Sequence, residues 1–178
     1  MRQQLLGRRE LFTAGPEAAA ASAALSAHLA TLLHQLEPEL LGLYWPHRSE
    51  FNAAAALCAD TLLARLPKAL PFARRAPAEM HFRAWDGRTP TLSDECGIPS
   101  CDGATVVPDV VLVPCIGFTA DGYRLGYGGG YFDRWLARNP GVTTVGVAWS
   151  NAEIMPGAFE PQAHDQPLTL VVTERGVV

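Results

Sequence analysis

The chain has 178 residues, 48% of them hydrophobic and 18% charged, with a formal net charge of −4 and a pI near 5.7. That composition fits one ordinary globular domain and excludes a disordered chain. The acidic balance argues against nucleic acid as a partner and leaves room for a local cationic pocket.

An alanine-rich stretch from Ala18 to Leu33 follows Arg8 and Arg9. His28 and several Ser and Thr residues interrupt it, and no run approaches the ~20 apolar residues that span a bilayer, so no membrane is expected. Leu25, Leu29, Leu32, Leu33 and Leu36 fall at three- and four-residue steps and predict an amphipathic helix over 17–36, ended by Pro38. Residues 40–45 form a short apolar run stopped by Pro46, as in a buried strand. Residues 50–66 have helical composition, with Ser49 as the expected N-cap. Short strands are expected over 69–72 and 79–85. Residues 89–107, rich in Pro, Gly, Ser and Asp, predict a long loop. Val110 to Val113 is an uninterrupted branched run between prolines, the pattern of a strand buried on both faces. A helix over 131–138 and strands over 143–149 and 168–173 complete the series. Strands alternating with helices predict a single α/β domain with an open, mostly parallel sheet flanked by helices. Ligands of such sheets bind beyond the carboxyl ends of the strands, which directs attention to the loops after Trp45, Val113 and Trp149. The four cysteines, Cys58, Cys96, Cys101 and Cys115, form no C-x-x-C pair. Reduced thiols in a cytoplasmic protein are therefore expected, with neither a zinc site nor a disulfide framework.

The segment richest in chemistry is Phe118 to Arg134, FTADGYRLGYGGGYFDR. Gly126, Gly128, Gly129 and Gly130 fall between a predicted strand and a predicted helix. A glycine-rich turn that opens a helix exposes backbone N–H groups at the positive end of the helix dipole, which suits phosphate. The turn lacks the last glycine of the dinucleotide fingerprint, where Tyr131 stands, and the lysine of a Walker loop. By itself it also fits a tight structural turn. Arg124 before it and Asp133-Arg134 after it supply a phosphate clamp and a carboxylate able to hold Mg²⁺.

This segment resembles the signature of the 5-formyltetrahydrofolate cyclo-ligase family. Tyr44 to Asn52, Met80-His81-Phe82-Arg83-x-Trp85, Pro108 to Pro114, His164-Asp165 and Thr173-Glu174 are similar to further family segments. The resemblance covers about residues 40–174, with the N-terminal helices of 1–37 matching loosely. It implies one domain over 1–178, a Rossmann-like (NagB/RpiA-like) three-layer sandwich, monomeric or homodimeric and cytoplasmic. It also implies the ATP- and Mg²⁺-dependent cyclisation of 5-formyltetrahydrofolate to 5,10-methenyltetrahydrofolate. By position, Arg2, Arg8, Arg124, Gly126, Gly128, Gly129, Gly130, Tyr131 and Asp133 would bind ATP. Arg124 and Tyr131 would act in catalysis, and Asp133 would hold Mg²⁺. Glu50, Tyr44, Met80 and Trp85 would receive the reduced folate. The chain departs from the family pattern in three places. Arginines stand where the family has an N-terminal lysine. Pro99-Ser100-Cys101 lacks the family's glutamate, and Ser150-Asn151 its glutamine. An ATP-binding paralogue with another small substrate, or a non-catalytic nucleotide- or folate-binding protein, fits those departures too.

Overall fold

The computed structural model describes residues 1–178. Two helices open the chain, α1 (Arg2–Thr13) and α2 (Ala18–Leu36). α2 buries the predicted stripe of Leu25, Leu29, Leu32 and Leu33, and stops at Glu37, whose left-handed backbone (φ 47) turns the chain before Pro38. There follow β1 (Leu41–Gly42), α3 (Ala53–Leu57), β2 (Lys68–Arg75) and β3 (Ala78–Trp85). Next come β4 (Leu92–Ser93), β5 (Pro99–Ser100), β6 (Thr105–Val106) and β7 (Val110–Pro114). The chain closes with β8 (Gly117–Phe118), β9 (Arg124–Leu125), α4 (Tyr131–Arg138), β10 (Thr143–Val147), β11 (Leu170–Thr173) and β12 (Gly176–Val177).

Eight strands make the main sheet, in the order β12-β11-β10-β7-β1-β2-β3-β6. The central pairings β11-β10, β10-β7, β7-β1 and β1-β2 are parallel, and the outer ones are antiparallel. β7 shows why its sequence does not alternate. Val110 and Leu112 enter a core under α2 and α3, while Val111 and Val113 enter a second core with Trp135 and Leu136 of α4. Helices thus cover both faces, and the architecture is the expected three-layer α/β fold. α1 lies elsewhere. Its Leu5 packs with Ile116 and Ile154 beyond the end of β7, an approach that Gly117 permits because a Cβ there would lie 2.7 Å from Leu5 Cδ1.

The structure corrects five sequence expectations. The helix over 50–66 is confined to α3 and a 3₁₀ turn, Leu63–Arg65. Asn52, not Ser49, caps it, its Oδ1 accepting from the Ala55 N–H at 3.0 Å. Asp60 Oδ1 accepts from the amides of Leu62 and Leu63 and starts the 3₁₀ turn, so local capping overrides alanine composition. The strand over 69–72 extends to Lys68–Arg75, because Pro71 lies beyond the last β1 partner and its carbonyl accepts from Ser100 Oγ. The strand over 40–45 is reduced to β1. The loop over 89–107 carries β4, β5 and β6, held at its bend by Asp94, which accepts from the amides of Cys96 and Ile98.

Candidate active site

A cavity of about 590 Å³ opens beyond the carboxyl ends of the central strands, a size proper to small-molecule pockets. The glycine loop between β9 and α4 forms one wall. Its glycines have separate steric reasons. Gly128 takes φ +95 and Gly130 φ +61, conformations that L side chains rarely adopt. A Cβ on Gly129 would lie 2.8 Å from the Tyr131 ring, and one on Gly126 would lie 2.8 Å from Arg124 Nη1. Gly130 leads directly into α4, so the loop backbone meets the positive end of that helix. Arg134 braces the loop, donating from Nε to the Ala78 carbonyl (2.9 Å) and from Nη2 to the Gly129 carbonyl (2.8 Å). Arg2 reaches over from α1 and donates from Nε to the Gly126 carbonyl at 2.6 Å.

Arg124 is the most exceptional group of this wall. Its side chain is 6% exposed, and its Nη2 stands 3.0 Å from Asp133 Oδ2. The N–H vectors are not aligned on that oxygen, so the contact is Coulombic, and the buried Nε and Nη2 have no hydrogen-bond acceptor. A buried guanidinium with unmade bonds at a cavity wall matches a ligand's oxygens better than it serves the fold. Asp133, in the first turn of α4, also accepts from the Gln166 N–H at 3.4 Å through Oδ1.

The opposite wall comes from the end of β1 and the segment after it. Tyr44, Trp45, His47 and Glu50 line it, with Met80 of β3 beside them. The buried Tyr44 hydroxyl donates to the Phe51 carbonyl at 2.8 Å, which pins this segment and carries Glu50 to the cavity. Glu50 Oε2 accepts from the His47 N–H at 2.8 Å, while the buried Oε1 has no hydrogen-bond partner. Burial raises the Glu50 carboxyl above its ordinary range, opposed by the His47 amide and the nearby Arg9. Burial also raises Tyr44 and lowers His47, so both are neutral at neutral pH.

Of the residues singled out by sequence, the cavity brings together Arg2, Arg124, Gly126, Gly128, Gly129, Gly130, Tyr131, Asp133, Glu50, Tyr44 and Met80. Two stand apart. Arg8 donates to the Asn151 carbonyl at 3.0 Å, outside the cavity lining. Trp85 is turned away, its indole N–H on the Arg88 carbonyl (2.7 Å) and its ring edge-on to Trp45 at 6.1 Å, so Trp45 is the tryptophan of the cavity wall. Sequence reasoning missed Trp45, Tyr127, Cys96 and Arg9. Trp45 precedes Pro46 at a strand's carboxyl end, a position the α/β rule already favours. Cys96, from the long loop, contacts the Tyr131 hydroxyl through Sγ at 3.3 Å. Arg9 had a fainter signal: it falls four residues after Leu5, on the same face of a helix.

Over residues 1–174 the chain matches the family described as 5-formyltetrahydrofolate cyclo-ligase. The chain belongs to that family. Cyclo-ligases are enzymes, and two curated relatives bear the name 5-formyltetrahydrofolate cyclo-ligase. One, from Haemophilus influenzae, is 26% identical over 145 residues, 75% of this chain and 76% of that protein. The other, from Mycoplasma pneumoniae, is 36% identical over 67 residues, and the match spans 37% of this chain and 39% of that protein. Two solved structures, both titled 5,10-methenyltetrahydrofolate synthetase, share the fold. The Aquifex aeolicus structure superposes with a TM-score of 0.76 at 27% identity, covering 99% of this chain and 89% of the other. For the M. pneumoniae structure the TM-score is 0.74 at 22% identity, covering 97% and 96%.

Proposed function

We propose that this cyclo-ligase family member converts 5-formyltetrahydrofolate to 5,10-methenyltetrahydrofolate with ATP and Mg²⁺. The formyl oxygen takes the γ-phosphoryl group and ADP leaves. N10 then attacks the activated formyl carbon, the ring closes and phosphate departs. The reacting atoms belong to the two substrates, so the protein's share is positioning and charge stabilisation.

The observation that carries this reading is Arg124, with its two unaccepted buried N–H groups beside the glycine loop. A transferring phosphoryl group offers the oxygens those donors lack. Gly126, Gly128, Gly129, Gly130 and Tyr131 would cradle the triphosphate against the N-terminus of α4, with Arg2 at its edge. Asp133 suits Mg²⁺, which takes one or two protein carboxylates and completes its shell with phosphate oxygens and water. When bound, the ion would neutralise charge developing on the phosphates. Across the cavity, the free Oε1 of Glu50 would accept the N–H donors of the pterin ring, with Tyr44 and Met80 beside it.

The test is absorbance of the methenyl product from purified protein, 5-formyltetrahydrofolate and Mg-ATP, with each substrate omitted in turn. Product that requires both substrates establishes the activity. ATP binding without product would favour a paralogue with a different second substrate, and binding of both ligands without phosphate release would favour a non-catalytic role.

A further inference from the structure

Arg9 is buried to 2% exposure, has no part in the steps above, and sits behind the cavity wall. Its Nη2 donates to the Tyr127 hydroxyl at 2.7 Å and its Nε to Ser49 Oγ at 3.1 Å. Its Nη1 stands 4.0 Å from Glu50 Oε1, and the Glu50 side chain is itself only 5% exposed. Arg9 therefore ties three separate segments together: α1, the turn that carries Glu50, and the glycine loop. The Tyr127 ring in turn stands edge-on to His47 at 5.4 Å.

We propose that Arg9 is a positioning residue of this site: it supplies the counter-charge that keeps Glu50 ionised toward the cavity, and it fixes Tyr127 between the two substrate regions. The proposal rests on the reading that Glu50 meets the folate. The other groups around Glu50 do not replace this charge. Tyr44, Tyr127 and Cys115 are neutral and pushed further up by burial, Cys115 to about 12. His47 is lowered by burial and by the cations Arg48 and Arg9. Arg48 carries charge, but Arg9 is the cation paired with Glu50. Burial alone drives Glu50 toward its protonated form, in which one oxygen no longer accepts from a pterin N–H. The 4.0 Å separation suits this role. It is too long for a hydrogen bond and leaves Oε1 free for a ligand, yet in a water-excluded site it remains a strong Coulombic contact.

The experiment compares wild type with Arg9→Met, Arg9→Lys, Tyr127→Phe and Glu50→Gln in the full chain. KM for 5-formyltetrahydrofolate and for ATP is measured across pH, and the Glu50 carboxyl titration is followed by carbon-13 NMR without ligand. Arg9→Met is expected to raise the folate KM about tenfold at neutral pH, with little change in the ATP KM, since a bond to a charged acceptor is lost. The acid-side rise of its folate KM, and the Glu50 titration, both move to higher pH. Arg9→Lys restores much of each, because a charge remains, and Tyr127→Phe, which removes a hydroxyl and not a charge, moves the Glu50 titration less than Arg9→Met does. Should Arg9→Met unfold, Arg9→Lys against wild type decides, through a smaller shift of the same sign. A Glu50 titration unmoved in Arg9→Met, or equal losses toward ATP and folate, overturns the proposal. An unchanged folate KM in Glu50→Gln would instead sink the folate reading of Glu50 itself, and the NMR titration then still reports whether Arg9 is its counter-charge.

Discussion

Arg124→Ala separates a group kept for a ligand from one kept for the fold. In the folded protein the guanidinium's gain is confined to its Coulombic contact with Asp133: Nε and Nη2 make no hydrogen bond, and the Phe132 ring lies 5.4 Å away. An unmet buried donor costs about 1–3 kcal/mol, so truncation relieves part of a penalty. It also leaves Asp133 without its cation at 3.0 Å, but that carboxylate is 13% exposed and keeps the Gln166 N–H. The opposing effects leave a net change within about 1 kcal/mol, or about 2–4 °C in melting temperature for a domain of this size. Catalysis is another matter. An arginine placed on a transferring phosphoryl group contributes roughly 10³–10⁵ in rate, or about 4–7 kcal/mol. Methenyl product formation at saturating substrates should therefore fall at least about a thousandfold in a protein that melts nearly where wild type does. Arg124→Lys restores charge without the forked donors and should recover only part of the rate. A loss below about tenfold, or a fall in melting temperature above about 10 °C, would refute the assignment of those donors to a phosphoryl group.

Glu50→Gln couples stability to substrate recognition. Because burial raises this carboxyl above its ordinary value of 4.5, its stabilising contribution is full below that value and is lost as pH rises through the raised one. The variant lacks that loss, so chemical denaturation should show it gaining on wild type as pH rises above the ordinary carboxyl range. The folate KM should rise at the same time. Gly128→Ala places a side chain at φ +95. Denaturation should report about 1–2 kcal/mol of lost stability, and kinetics a raised ATP KM with the folate KM near wild type. Asn52→Ala removes the cap of α3 and should cost about 1 kcal/mol in a denaturant titration, with kcat unchanged.

The parts of the fold that read directly from the sequence are those where one face or one period dominates. β7 reads as buried because four consecutive apolar residues are needed when both faces meet helices, and α2 because its leucines keep to one stripe. The glycine loop is legible for a different reason: the positive φ of Gly128 and Gly130 restricts residue choice so strongly that the backbone shows through in the letters. Residues 50–66 fail where these cues end. Alanine composition favours helix throughout, but the Tyr44 hydroxyl on the Phe51 carbonyl and the His47 amide on Glu50 hold the first part as an irregular segment. A site residue must face the cavity, and the helix yields to that demand.

Arg9 marks the harder limit. On a helix whose other buried residue is Leu5, an arginine four residues later reads by rule as solvated, since arginine is seldom buried without partners. Its partners are Ser49, Glu50 and Tyr127, which lie 40, 41 and 118 residues away in sequence and converge only once the sheet has formed. No local period encodes that convergence. The residues proposed to meet phosphate are constrained by backbone geometry, which leaves a pattern in neighbouring letters. Arg9, paired with the Glu50 carboxylate, is constrained by tertiary charge pairing, which leaves one arginine among several. A chain that matches at the glycine loop therefore need not share the electrostatics behind Glu50. Substrate preference within such a fold is best sought at the residues packed behind the cavity wall.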